Sequence, residues 1–371
     1  MRIRDRSQES HFTHGINDMQ NELHNYVERM GARIRERYGI AEEYKYQLRE
    51  CDSGVILVYG RLYSGFQEET EDEKFSLKRA RLNLPRVFDI PVLNIKFGSG
   101  VTQGFFCGQI IAARGTIIDN EFTAEEVFTD LRLQLVDPIP ESFSQKIVVC
   151  CGPYFKDDLS VLNQINKSVL RHQPDIALFL GPFVVENTPM LYNKDCSKTA
   201  EDLTKEIIET LSDSIPNSLF IGSPDDLIGF PFLPNGKIFT SGANYTVSGD
   251  PTFISIGPLS IAATAHDVQF ATAKQFDGPT SGKLKEISKQ FAHQCSTCPV
   301  IDPKVQLFHI KKLEIESTPH IFISPTRFVQ SSEDIDGTKI VCVPSSFKSG
   351  KIMPFAIISC NNGFVDVTFQ N

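Results

Sequence analysis

Twice in this chain a short apolar run stops at Gly-Pro followed by an aromatic residue: KIVVCCGPY at 146–154 and DIALFLGPF at 175–183. Such runs read as strands, and proline ends them because it has no N–H to give to a sheet ladder. Between them Leu159, Leu162, Ile165 and Val169 share one helical face. A second helical segment, TAEDLTKEIIETL, leads into SLFIG at 218–222. Strands alternating with helices imply crossover connections, so the chain from Lys146 onward is expected to form an α/β sheet domain. TFISI, LSIAATA, a helix near 283–294, HIFIS at 320–324, KIVCV at 339–343, FAIIS and FVDVTF extend it.

The first third follows other periods. Ile16, Met19, Leu23, Val27, Met30 and Ile34 recur at steps of three and four, which predicts an amphipathic helix over 16–37. Glu22, Glu28, Arg33 and Arg35 fall on its opposite face, and Asn17 or Asp18 is suited to cap its start. From about residue 54, GVILVYGRLY, the stretch around VFDIPVLNIKF, and FFCGQIIAARGTIID read as the strands of a small barrel or sandwich. The acidic run EETEDE at 68–73 reads as a solvated loop. VDPIPESFSQ at 136–145 is the nearest thing to a linker. At roughly 150 residues per domain, 371 residues suit two domains and a helical appendage.

Composition narrows the class. No stretch reaches the ~20 apolar residues of a membrane span. MRIRDRSQES lacks the apolar core of a signal peptide, so an intracellular protein is expected. The nine cysteines lie mostly in apolar runs, as small buried hydrophobes do in a reducing compartment. A net charge of -9 opposes tight binding to a phosphate backbone. The cluster Lys78, Arg79, Arg81 and Arg86, flanked by Phe75 and Phe88, is the one local feature suited to single-stranded nucleic acid, against an ordinary reading as solvated surface.

In α/β sheets ligands gather beyond the carboxyl ends of strands. Those ends read Gly152-Pro153-Tyr154, Gly181-Pro182-Phe183, Gly222-Ser223-Pro224-Asp225-Asp226 and Pro325-Thr326-Arg327. A metal-dependent hydrolase needs Asp, His or Asn at such corners, and prolines, glycines and aromatics stand there instead. Cys295 and Cys298 form a single CxxC, with His293 and His309 nearby; without a second pair a helix end before Pro299 is the plainer reading. His266 with Asp267 has the composition of a proton-transfer pair, against a structural histidine. No GxSxG elbow and no GxxxxGK[ST] loop occurs. These residues mark no catalytic, cofactor or metal site.

GQIIAARGT at 108–116, VVCCGPYFKDDLSVL at 148–162 and PDIALFLGPFVVENT at 174–188 carry a resemblance to the B subunits of the replicative DNA polymerases, most closely the α type. Pro224, Asp226, Asp267, HIFISPTRF at 320–328 and VCVPSSFKSGK at 341–351 extend it more weakly. The resemblance implies a helical segment over 1–45, an oligonucleotide-binding (OB) barrel over 46–140 and an inactive calcineurin-like phosphoesterase α/β sandwich over 141–371. Carried onto this chain, the ligand positions of active phosphoesterases fall on 152–154, 181–185, 222–226, near His266, and on 324–327, where only Asp226 and His266 are able to ligate. It also implies a non-catalytic nuclear subunit without cofactor, joined in a hetero-oligomer to the C-terminal region of the polymerase α catalytic subunit and, through the complex, to primase. It implies no membrane and at most weak contact with DNA. Pro344-Ser345-Ser346 departs from the family's Asn-Pro-Gly, and the family's separate N-terminal helical domain has no counterpart. The alternatives are the δ or ε counterpart, an active metallophosphoesterase or nuclease, and a single-strand-binding OB protein.

Overall fold

The computed structural model describes residues 1–371 except 6–15, 50–53, 65–73, 119–120, 133, 135, 194–196, 216, 280, 303–304, 308, 349–350, 353 and 371. The acidic run at 68–73 lies outside the described residues. A short strand β1 (Arg2–Asp5) precedes helix α1 (Ile16–Tyr38). Asn17 and Asp18 sit inside the first turn of α1 rather than before it, where Asp18 still complements the helix dipole. Then come β2 (Val55–Ser64), β3 (Ala80–Asn83) and β4 (Val92–Phe97), followed, after the two-residue β5 (Phe105–Phe106), by β6 (Ile110–Ile118) and β7 (Glu121–Phe128). The barrel closes in the order β2-β3-β4-β7-β6, with β4 and β7 parallel and the other neighbours antiparallel. That is a five-stranded OB-type arrangement. Alternation fills it: Leu93 and Ile95 of β4 point in while Val92, Asn94 and Lys96 face out.

Helix α1 lies against this barrel through Val27, Met30 and Ile34, all buried. The approach is close enough that Gly31 sits against the ring of Tyr59, where a Cβ would collide with it. Tyr44 Oη donates to the Gly31 carbonyl (2.7 Å) and secures the contact. The opposite, polar face is also engaged. Arg29 and Arg33 reach the buried Glu314 at 2.7 and 2.6 Å, and Glu22 accepts from the Lys311 amide. Helix α1 therefore straps the barrel to the second unit.

That unit begins with β8 (Gln145–Cys151), α2 (Ser160–Leu170), β9 (Ile176–Leu180), α3 (Ala200–Ser212) and β10 (Ser218–Ile221). It continues with β11 (Phe232–Leu233), β12 (Tyr245–Ser248), β13 (Thr252–Ile256), β14 (Leu259–Ala263), α4 (Val268–Lys274), β15 (Phe276–Asp277) and α5 (Lys283–His293). The remainder is β16 (Gln306–Leu307), α6 (Ile310–Leu313), β17 (Ile321–Thr326), β18 (Ser331–Ile335), β19 (Thr338–Pro344), β20 (Phe347–Lys348), β21 (Lys351–Ile352), β22 (Phe355–Asn361) and β23 (Phe364–Gln370). Two six-stranded sheets result, β12-β10-β9-β8-β22-β23 and β1-β13-β14-β17-β19-β18. Ile147, Val149 and Cys151 of β8 point into the core between the sheets, whereas Val148 and Cys150 point to α2 and α3. Phe291 of α5 and Val268 of α4 cover the far face of the second sheet. The architecture is a layered α/β sandwich beside a barrel. A capping box, Thr199 with Asp202, starts α3.

The two units are bonded through buried glutamines. Gln109 Nε2 donates to Gln290 Oε1 (2.7 Å), and Gln294 accepts from the Ile110 amide while donating to the carbonyls of Ile110 and Thr129. Segment 136–145 is anchored rather than loose, since Ile139 is buried in the inter-sheet core and His320 Nε2 lies 2.6 Å from the Asp137 carbonyl. Among the described residues no helix is long and apolar enough to cross a membrane.

Candidate functional site

The carboxyl ends of β8, β9, β14, β17 and β19 converge on an open cleft of about 730 Å³, walled by Pro153, Pro182, Pro325 and Pro344. Gly152 donates its amide to the Leu180 carbonyl and Gly181 to that of Ile221, both at 2.8 Å, so each corner is stapled to the next strand. A side chain at 152 would run into the Pro182 carbonyl, which fixes glycine there. Tyr154 and Phe183, the aromatic residues of the two corners, turn away from the cleft. Their rings stack with centroids 5.6 Å apart beneath the helices, and Tyr154 Oη donates toward the carbonyls of Cys150 and Leu180. Ser345 and Ser346 close the floor: the Ser346 amide donates to the Cys151 carbonyl and Ser345 Oγ to that of Pro153, which joins the ends of the two sheets.

At the third corner Asp226 is buried with its carboxylate turned inward. It accepts from the amides of Phe183 (2.5 Å), Val184 (3.2 Å) and Ser223 (2.7 Å). Burial pushes its carboxyl up to about 7 against the pull of those three amides. The group ties two corners together and presents no oxygen to the cleft. The sequence reading leaves out Asp225, a second carboxylate of this third corner that lines the cleft. His266 is buried, and burial lowers its pKa while Asp302, 3.6 Å from Nε2, opposes the shift. His266 and Asp267 do not form a proton-transfer pair. Asp267 instead caps α4, taking the amides of Phe270 (2.9 Å) and Arg327 (2.7 Å), and burial raises it to about 6. Arg327 spreads its guanidinium over the Phe270 ring at 4.9 Å and lies 3.5 Å from Asp225. Among the described residues no three of His, Cys, Asp and Glu gather where an ion would be held.

The remaining sequence candidates disperse. Cys295 and Cys298 are buried, and burial pushes both thiols up, Cys295 to about 12, so neither is a ready thiolate ligand. His293 lies 3.2 Å from Asp336 and His309 3.2 Å from Glu22, so the CxxC and its histidines do not converge. On the barrel, Lys78, Arg79 and Arg81 lie toward solvent but Arg86 bonds Asn21 of α1. Phe75 and Phe88 are 2% and 6% exposed, so the aromatic faces needed for base stacking are spent on the core. Sequence reasoning passes over Asp250, which is fully buried and accepts from the Ala265 amide at 3.1 Å. An Asp-Pro step ahead of an apolar strand is the signal available for it.

Residues 147–333, half of the chain and all the corners just described up to Arg327, match the family model for the B subunit of DNA polymerase alpha/epsilon. The chain belongs to this B-subunit family. A Caenorhabditis elegans relative, named as the B subunit of DNA polymerase alpha, is 26% identical over 333 residues, covering 83% of this chain and 56% of that protein. The mouse protein of the same name is 23% identical, covering 67% and 45%. The chain thus spans about half the length of the curated relatives it matches. Among solved structures, an archaeal phosphodiesterase aligns at 9% identity and a TM-score of 0.34, covering 61% of this chain and 99% of that one. Membership of the B-subunit family matches the expectation drawn from the Gly-Pro-Tyr and Gly-Pro-Phe corners, both of which fall inside the matched region.

Proposed function

We propose that this chain is the non-catalytic accessory subunit of a polymerase α–primase assembly. In this reading the barrel (46–140) and the sandwich (141–371), with the helical segment (1–45) strapped across them, form a rigid body in the nucleus that holds the C-terminal region of the polymerase α catalytic subunit. Primase is reached through that complex, and DNA is touched weakly at most, as a net charge of -9 favours. The observation that carries the reading is Asp226: where a metallophosphoesterase needs a free carboxylate, this one is consumed by three backbone amides.

The test is co-expression with the C-terminal region of a polymerase α catalytic subunit from the same organism. Co-elution and a raised unfolding midpoint are expected, because a partner that binds only the folded state stabilises it by mass action. A well-folded chain that neither co-elutes nor shifts would return the δ and ε counterparts to first place. A manganese-supplemented phosphodiesterase assay is expected to show no turnover. Turnover lost on His266→Ala would overturn the non-catalytic reading.

A further inference from the structure

Strand β23 forms the outer edge of its six-stranded sheet: it pairs with β22 along its full length, and no described strand pairs with its other side. Edge strands are ordinarily blunted by charged side chains, proline, a bulge, shortness or a covering helix or loop. This one has a single charge, Asp366, and no proline or bulge. Its seven residues read FVDVTFQ and its register with β22 is unbroken. The hairpin turns at Asn362-Gly363, with φ of 53° and 80°, the geometry of a tight two-residue loop. Phe364 and Asn361 are then a hydrogen-bonded pair, and alternation puts Asp366, Thr368 and Gln370 in the same class. The amides and carbonyls of Val365, Val367 and Phe369 consequently point away from the sheet. The side chains of those same three residues are half-buried against the inter-sheet core, while Phe364 is 77% exposed and Asp366 and Thr368 face solvent.

We propose that the free edge of β23 is a strand-addition site for an extended, basic segment of a partner protein that alternates apolar and cationic residues. Main-chain bonding to the open amides and carbonyls supplies the docking geometry, as in other β-augmentation complexes. Apolar residues of the added strand would extend the cover that Val365, Val367 and Phe369 give the inter-sheet core. Its cationic residues would share the face of Asp366, where an opposite charge across the strands is favourable. Charge selects this occupant over a second copy of the chain, because two copies would bring together bodies of net charge -9.

The experiment is amide hydrogen exchange on the full chain, alone and with a nine-residue peptide of alternating lysine and valine. The amides of Val365, Val367 and Phe369 are expected to slow by about tenfold or more on peptide addition, with those of Asp366 and Thr368 unchanged. Val367→Pro should abolish the effect without breaking the ladder to β22, since proline is tolerated where its N–H side faces solvent. As a measurement that needs no protein variant, N-methylating the peptide on its sheet-facing amides should also abolish it. Absence of protection at the three amides, or equal protection by a peptide with glutamate in place of lysine, would overturn the proposal. So would concentration-dependent dimerisation that Val367→Pro removes, because the edge would then serve a second copy.

Discussion

Asp250 shows how one buried group sets a pH dependence. It is wholly buried, and burial raises its carboxyl to about 7 against the bonds it accepts. A raised acid binds its proton in the folded state through a range where the unfolded chain has released it. Stability from this residue is therefore highest near the ordinary aspartate value and falls as pH rises toward about 7. Asp130 and Asp336 act in the opposite sense: both are held low with Arg132 bonded to them, so their contribution is present above the usual carboxylate range and lost as pH falls below it. Asp250→Asn, which resembles the protonated acid, is expected to lessen the decline between about pH 4 and 7, which Asp226 and Asp267 share, and to be at least as stable as the parent at the upper end of that range. Urea unfolding at half-unit pH steps checks this. None of it is legible from GDPTF, because a carboxyl's pKa depends on burial, and burial is decided by strands distant in sequence. Tyr154 is a similar case. Its place after Gly-Pro is readable, but the inward turn of its ring depends on Phe183, supplied by another strand end.

At the scale of elements, α1 is the plainest object in the sequence, and its apolar stripe does meet the barrel through Val27, Met30 and Ile34. Its polar face is engaged as well, which periodicity alone does not reveal. Arg29 and Arg33 share the carboxylate of Glu314, 285 residues beyond Arg29, and no helical period points to such a partner. Gly31 makes the packing testable. Alanine there would favour the isolated helix by about 1 kcal/mol. Yet the added methyl would meet the buried Tyr59 ring, and overpacking of this kind costs roughly 1–3 kcal/mol. Gly31→Ala is accordingly expected to lower the midpoint of thermal unfolding, and a rise would show that α1 can retreat from the barrel. Strands such as β8 and β9 are legible because short apolar runs with hard Gly-Pro endings have few other uses, whereas β17 runs on through Pro325 to Thr326. The pairing of β1 with β13 is not, since four residues at 2–5 carry no period long enough to assign.

For the whole molecule, what matters is whether barrel and sandwich behave as one body. Gln109, Gln290 and Gln294 are at most 2% exposed: Gln294 reaches from the end of α5 to the Ile110 amide and the Ile110 and Thr129 carbonyls of the barrel, and Gln109 bonds Gln290 across the junction. Gln294→Ala would strand three buried backbone groups, each costing about 1–3 kcal/mol when unsatisfied. The parent should unfold in a single calorimetric transition, and the variant should unfold at lower temperature with a broadened or divided one. An unchanged single transition would mean that the strap of α1, the β5–β15 pairing and the Leu77–Asp277 and Leu131–His293 bonds couple the units without Gln294. The sequence by itself determined the barrel strands, the strand–helix alternation, the proline corners and, through those corners, the B-subunit family. These are properties of neighbouring residues, and backbone period and turn chemistry act locally. Only the tertiary structure decided that Asp226 is consumed by amides, that the polar side of α1 is a strap, that three ordinary-looking glutamines bond the two units, and that β23 ends its sheet with no described strand on its outer side. Each depends on which distant segments fold together, and burial and hydrogen-bond partnership do not exist until they do.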